Sequence, residues 1–516
     1  MTQQHLKFSF SFLFVFATVF IFSLFAQLPD DFDQWVESGR KDWNIPGMAV
    51  GIVKDGKVVF EKGFGVKQLG KNEKVDANTI FSIASVSKNM TAAALGILVD
   101  RGKINWDDKI VDHIPWFQFK DPWVTREVTI RDVLTHRAGL GRILGNRLHF
   151  MTASSRDSVL YHMRYMDFEK PFRSGFVYNN VMYSLAGQII EYTDGRTWDD
   201  FMKEELFLPL GMTSATTSIT ELKGNNLAFP HQEIDGKIVE IQRRNWDNAG
   251  PAAGVNSSVV DLNKWMLMQL GTPGEYEGKT IISPAQMNEI HKPQFALPLS
   301  NAYGPQSAYG LGWNITDYKG KRVLTHGGAT DGFNTAMYLL PELNLGIVVV
   351  GNTFNSFGNA VAYAVMDSYL GESGTDWHQR YWTGYKNQYE RVSKIRDEIH
   401  QARVKNTRPS LKPEEYTGVY RSEGYGKIEV VKNGNELLLK FWDTPGLEAK
   451  LEHWHYDTFR AVWKNPAQRE EFMQFHLDKS GKAAALDFEF VLRPMLLQVG
   501  AYPSNYTHTE RFEKVD

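Results

Sequence analysis

A serine and a lysine, Ser85 and Lys88, stand three residues apart where an apolar helical pattern begins, followed by Met90-Thr91-Ala92-Ala93-Ala94. Three residues along a helix place both side chains on one face, one turn apart. A hydroxyl and an amine so placed can act as nucleophile and base once the amine is neutral. The reference pKa of lysine is about 10.4, so burial or nearby cations must lower it before it accepts a proton at neutral pH. The start of the helix adds backbone N–H groups that can hold a developing oxyanion. Ser87 is a competing hydroxyl, but one residue from Lys88 it points off the shared face. Alone, the four-residue pattern is weak and reads more readily as a capping serine beside a solvated lysine.

Two later segments change that balance. Tyr178-Asn179-Asn180 precedes an apolar helical run over 181–190, with Pro171 and Gly175 in the loop ahead of it. His326-Gly327-Gly328-Ala329 follows the apolar pair Val323-Leu324, and its small residues let a backbone edge come close to a ligand. The order Ser-x-x-Lys, Tyr-x-Asn, His-Gly-Gly resembles the penicillin-recognising serine hydrolases. This superfamily includes class C β-lactamases, D-alanyl-D-alanine carboxypeptidases, D-aminopeptidases and related esterases. Three more pieces fall in the family's order: Leu134-Thr135-His136-Arg137-Ala138-Gly139-Leu140, Gly250-Pro251-Ala252-Ala253-Gly254 and Tyr309-Gly310-Leu311-Gly312-Trp313. The resemblance spans about residues 30–370.

By that resemblance, Ser85 attacks a carbonyl and becomes acylated, and Lys88 and Tyr178 share the general-base role. Asn180 positions Lys88 and the substrate amide, the oxyanion sits on the N–H groups of Ser85 and Ala329, and water releases the acyl group. His326, Gly327, Gly328 and Ala329 form the substrate-side strand. Most β-lactamases carry a lysine where this chain has His326, so a fixed cation is replaced by an imidazole titrating near pH 6.5. A neutral ring there is expected to donate a hydrogen bond to a carbonyl or amide, not to anchor a carboxylate. The resemblance therefore implies an acyl-enzyme hydrolase of amide bonds in short peptides, D-residues included. A carboxylesterase or weak β-lactamase on the same machinery is the alternative, and a non-catalytic penicillin-binding-like protein is the reading from another class. His136 is assigned to a structural turn.

The elements that must hold these residues follow from patterning. Asp55-Gly56 between apolar runs predicts a hairpin. Helices are expected over 88–100 (with Gly102 as a left-handed cap), 130–134, 180–191, 198–206 and 259–269, and strands over 321–325, 334–340 and 345–350. Strands at both ends with helices between them imply an α+β layer in which first and last strands share an antiparallel sheet flanked by helices. With the resemblance, this is the β-lactamase/transpeptidase-like arrangement, over residues 27–375. A charged helix and linker is expected over 376–413 and a β-rich accessory domain, a small barrel or sandwich, over 414–516. Five strands are legible in it: 418–420, 427–431, 436–441, 472–477 and 485–492.

Composition narrows the partners. In 516 residues the net charge is −3, which leaves no basic surplus for nucleic acid. The absence of cysteine removes disulfides, thiolate nucleophiles and thiolate metal sites. No cofactor is expected, and the partner is a small peptide or ester substrate. His453 and His455 lack a third ligand at suitable spacing and are read as core residues, and 274–280 falls one residue short of a phosphate loop. Asn256-Ser257-Ser258 and Asn505-Tyr506-Thr507 fit glycosylation acceptors. Lys7, the apolar run over 8–25 and Ala26 read as a secretory signal over 1–26, although Leu24 fits the cleavage rule poorly. Export to the periplasm or medium is expected, with residues 1–26 either removed or kept as the only membrane anchor.

Overall fold

Alternation along the first long strand sets the layers. The computed structural model describes residues 27–142, 144–149, 152, 154–234, 236–297, 307–444, 446–465, 468, 470–491 and 507–515, so the expected signal lies outside the described residues. In β1 (Gly47–Lys54), Met48, Val50 and Ile52 are buried in one apolar cluster, and Ala49 and Val53 in another on the opposite face. A strand covered on both sides reads as a continuous apolar run, as this one does. Asp55 and Gly56, both at positive φ, turn the chain into β2 (Lys57–Gly65). Six strands return after the helical middle of the chain. They are β3 (Phe295–Ala296), β4 (Ser307–Tyr309), β5 (Asn314–Tyr318), β6 (Lys321–Thr330), β7 (Phe333–Leu340) and β8 (Leu345–Gly351). The sheet runs β2-β1-β8-β7-β6-β5-β4-β3. First and last strands pair antiparallel, Met48 opposite Gly351 and Lys54 opposite Leu345, as the α+β reading requires.

The principal helices are α1 (Phe32–Asp42), α2 (Ser87–Asp100), α3 (Asn180–Asp194), α4 (Val259–Gln269), α5 (Phe357–Leu370) and α6 (Trp377–Gln401). One face of the sheet is covered by α1, α5 and the first turn of α6, the other by α2, α3 and α4. Local signals explain their limits. Gly102, at φ +64, follows the end of α2, and Gly195, at φ +87, caps α3. Ser258 and Thr129 cap α4 and the short helix Ile130–Leu134 through their side chains. The helix expected over 198–206 is α-helical only over Trp198–Met202 and widens to a π turn over Lys203–Phe207. Residues 274–280 form the small hairpin Glu275–Tyr276 with Lys279–Thr280, not a phosphate loop.

Helix α6 brackets the two ends of the chain's architecture. Its start packs Trp382 and Tyr385 on Trp43 at 4.9 and 5.2 Å, and just past its end Arg403 donates to the Trp454 carbonyl at 2.7 Å. Beyond it lies a closed barrel. Its strands are β9 (Gly418–Ser422), β10 (Gly426–Asn433), β11 (Glu436–Phe441), β12 (Glu448–His455), β13 (Thr458–Trp463), β14 (Glu471–Leu477), β15 (Ala483–Val491) and β16 (Thr507–Lys514). Closure comes from β9 pairing with β16. Patterning missed β12, β13 and β16. The first two are joined through Tyr456, a non-glycine residue at φ +46 with no turn signature, and β16 is densely charged. His453 and His455 are half-buried and bond backbone, His453 Nε2 lying 2.9 Å from the Tyr456 carbonyl and His455 Nδ1 accepting from the Val404 N–H. Among the described residues no helix is long and apolar enough to cross a membrane.

Gly39 lets α1 lie directly on the Phe357 ring, where a Cβ would stand 2.1 Å away. Phe357 is fully buried between Trp35, Trp43 and His378. Phe357→Ala should therefore cost about 3–5 kcal/mol in urea unfolding, the usual range for deleting a core ring.

Candidate active site

The site grows from a strained turn. Ala84, a non-glycine residue at φ +48, begins the 3₁₀ turn Ala84–Val86 that leads into α2. Such strain persists only where the surroundings enforce it, and it concentrates at functional sites. From residue 81 to 98 every residue is buried except Ser85, which is half-exposed. Ser87 is spent on structure, its hydroxyl donating to the Ala84 carbonyl at 2.7 Å and accepting from the Val255 N–H at 3.0 Å.

Lys88 has no exposed surface. Its Nζ lies 3.1 Å from Ser85 Oγ, 2.8 Å from Asn180 Oδ1 and 2.9 Å from the Ala252 carbonyl oxygen. Burial holds its pKa well below the usual lysine range. A neutral amine has two N–H donors and one lone pair. With Asn180 and Ala252 accepting the donors, the lone pair is left for the Ser85 hydroxyl proton. The three contacts come from three elements: the 3₁₀ turn Ala84–Val86, the first residue of α3, and the short helix Gly250–Ala253.

Asn179 explains why Tyr178 and Asn180 sit where they do. Its side chain caps α3 by accepting from the Val181 N–H at 2.8 Å and donates to the carbonyls of Gly141 and Leu144. Tyr178 is half-buried, with its ring 4.8 Å from Lys88 Nζ. Behind it stands His136, fully buried at φ +54, its ring 4.3 Å from the Tyr178 ring and its Nδ1 accepting from the Asn179 N–H at 3.2 Å. Burial, aided by Lys88, His326 and Arg142, holds His136 neutral. It is a turn residue, as expected, but one that also backs Tyr178. Arg142 lies over the same ring at 5.7 Å.

His326, in β6, closes the far side. Burial and the neighbouring Lys88 push its pKa down to about 3. Its Nδ1 lies 2.7 Å from the Gly327 carbonyl, and its Nε2 3.2 Å from the Tyr309 hydroxyl. A neutral ring with Nδ1–H donating to Gly327 accepts from Tyr309 through Nε2. Both nitrogens thus have partners within the protein. Gly328 explains how the strand reaches the Ser85 turn: a Cβ there would stand 2.0 Å from the Ile83 carbonyl oxygen. Only glycine lets β6 approach the Ser85 turn this closely. The exposed Gly327 and half-exposed Ala329 lie on the same strand, paired with Ala336 and Asn334 of β7.

Ser85, Lys88, Tyr178 and Asn180 thus converge, with the 326–329 strand against them. Sequence reasoning gave no part in the site to Ala252, Tyr309, His136, Asn146 or Arg142. The first three lay in motifs already singled out, and their contacts arise only on folding. Among the described residues no group of three or more His, Asp or Glu side chains could hold a metal ion.

A beta-lactamase family model matches residues 32–370. The chain belongs to the beta-lactamase family. A second model, a domain of unknown function, matches residues 402–500 and so takes in most of the barrel. The unguisins hydrolases of Aspergillus campestris and Aspergillus violaceofuscus are 29% and 27% identical, over 80% and 78% of this chain and 79% and 76% of theirs. Protein flp of Staphylococcus aureus is 27% identical over 62% of each chain. Among solved structures, the octameric penicillin-binding protein homologue from Pyrococcus abyssi aligns with a TM-score of 0.59 at 20% identity, covering 94% of this chain and 99% of that one. SurE aligns at 0.55 and 17% identity, with the same coverage. Both are likenesses of fold.

A depressed lysine pKa sets the sign of a pH effect. The amine is neutral above its folded pKa and is protonated, losing its lone pair, as pH falls through it. The rate at which a fluorophosphonate labels Ser85 should fall on the acid side along one limb. His326→Asn should leave that limb in place, since His326 stays neutral down to about pH 3. A limb that vanishes in His326→Asn would assign the titration to the wrong group.

Proposed function

We propose that this protein is an acyl-enzyme serine hydrolase that cleaves amide bonds of short peptides, including those with D-residues. The observation that carries the reading is a lysine amine with no exposed surface held 3.1 Å from a half-exposed serine hydroxyl. Ser85 Oγ attacks the carbonyl carbon as its proton passes to Lys88 Nζ. The oxyanion rests on the N–H groups of Ser85 and Ala329. Collapse of the tetrahedral adduct breaks the bond to the leaving amine, which takes its proton from the Lys88–Tyr178 pair. Water then adds to the ester carbonyl as the Lys88–Tyr178 pair takes one of its protons, and collapse breaks the bond to Ser85 Oγ, which receives that proton as the acid leaves. Asn180 holds Lys88 on line throughout. The two similar unguisins hydrolases support hydrolysis as the reaction. Residues 1–26 support export as the place of action.

The substrate class turns on charge. His326 supplies no cation, which favours substrates without an obligatory carboxylate. One observation favours a second reading: Arg142, over the Tyr178 ring, could meet a free carboxylate as a carboxypeptidase or β-lactamase would require. The measurement that separates them is kcat/KM on a matched pair of peptide free acid and amide, in wild type and Arg142→Gln. Wild type should process the amide at least as well as the acid, and Arg142→Gln should leave the ratio within about threefold. A strong preference for the acid, lost by about 10²-fold in Arg142→Gln, would move the reading to carboxylate recognition, since one charge-assisted hydrogen bond is worth about 1.5–3 kcal/mol.

Two further outcomes test the machinery. Ser85→Ala should abolish fluorophosphonate labelling, whereas labelling lost only in Ser87→Ala would move the nucleophile. Lys88→Ala and Tyr178→Phe should each lower kcat by at least about 10²-fold. Their double mutant should lose little more than the worse single one, because the two act as a unit.

A further inference from the structure

The described chain on either side of residue 146 joins two parts of the molecule that the reaction alone would not connect. Arg147, on the 3₁₀ turn Asn146–His149, points into the barrel. Its Nη2 lies 2.5 and 2.7 Å from the two carboxylate oxygens of Glu471, the first residue of β14, and the pair is 10% and 5% exposed. The guanidinium also lies 5.2, 5.4 and 5.6 Å from the rings of Phe490, Trp463 and Phe441, on β15, β13 and β11. Two residues earlier, the Gly145 N–H donates to the Tyr425 hydroxyl, between β9 and β10, at 3.4 Å. A guanidinium enclosed by a carboxylate and three rings has little freedom to move.

The other end of the same turn reaches the site. Asn146 Oδ1 accepts from Asn180 Nδ2 at 3.3 Å, and Asn180 Oδ1 accepts from Lys88 Nζ. A series of contacts therefore runs from Glu471 in the barrel to Arg147, across the peptide bond to Asn146, and by hydrogen bonds through Asn180 to the amine beside Ser85.

We infer that the C-terminal barrel positions Lys88 through this turn, with Arg147 and Asn146 as positioning residues. The inference rests on Lys88 serving Ser85, and it gives the barrel a task in catalysis: a barrel that shifts or binds something near Glu471 alters the rate of acylation. Arg147 need not touch substrate for this.

The experiment is a double-mutant cycle on the full chain, read as the rate of fluorophosphonate labelling at Ser85 and as kcat and KM on a p-nitrophenyl ester. Arg147→Met and Asn146→Ala should each slow labelling about tenfold, acting on kcat more than on KM. Together they should cost little more than either alone, because they interrupt the same series. Arg147→Lys should restore part of the rate. Tyr425→Phe deletes one hydroxyl and keeps the ring packing, so it decides the matter even where Arg147→Met does not fold. It should slow labelling about fivefold, the worth of one hydrogen bond. Wild-type rates in a folded Arg147→Met or in Tyr425→Phe, or losses that multiply in the double mutant, would overturn the inference. A wild-type protein that does not label at Ser85 would instead overturn the hydrolase reading.

Discussion

The arrangement depends on keeping one lysine dry. An ammonium moved from water into a protein interior loses several kcal/mol of solvation, so the folded state favours the neutral amine. Lys88 is held in that state by total burial, and its partners come from the 3₁₀ turn Ala84–Val86, from α3 and from the short helix Gly250–Ala253. If any of the three elements moved away, water would reach the amine and its pKa would rise toward the solution value. The packing of this side of the sheet is thus a condition of the chemistry. The tight seat of Gly187 against Pro251, where a Cβ would be 2.2 Å from the proline ring, keeps α3 and the Ala252 carbonyl together.

Close backbone approach is the second condition. Gly328 brings β6 against the carbonyl before the Ser85 turn, and Gly312, at φ +80, brings the strand connection against the backbone of Lys88 and Asn89. Side chains at either place would hold sheet and helix apart. The buried rings of His136, Tyr309 and His326 then fill the space behind Tyr178. Neutral imidazoles suit this place, since burial strips water from any charge carried there.

The match to the beta-lactamase family ends at residue 370, yet contacts tie the chain beyond it to the part before it. Helix α6 is anchored at its start on Trp43, beside the first strand, and the chain after it on the barrel strand β12. Arg147 reaches from the hydrolase part into the barrel. The buried Arg147–Glu471 pair joins the Asn146–His149 turn, whose Asn146 accepts from Asn180, to the barrel.

Much of this was legible in the residues alone. The serine and lysine one turn apart, the tyrosine before a capped helix and the glycine pair at a strand edge are local patterns, governed by 3.6-residue periodicity, capping and steric size. Likewise the first-to-last strand pairing and the Asp-Gly hairpin follow from chain order and turn chemistry. Other features were not legible, because they depend on what burial brings together. Whether Lys88 is a base depends on the absence of water around it, a property of three distant segments. Nothing local in the His326 motif shows that Tyr309 will occupy its second nitrogen, or in Arg147 that it will end inside a barrel. Three barrel strands escaped notice because charged residues on their outer faces and a non-glycine turn at Tyr456 blurred the alternation. Local types and spacing determined which groups could react; the tertiary structure decided their ionisation and partners, because solvation and long-range contact exist only in the folded chain.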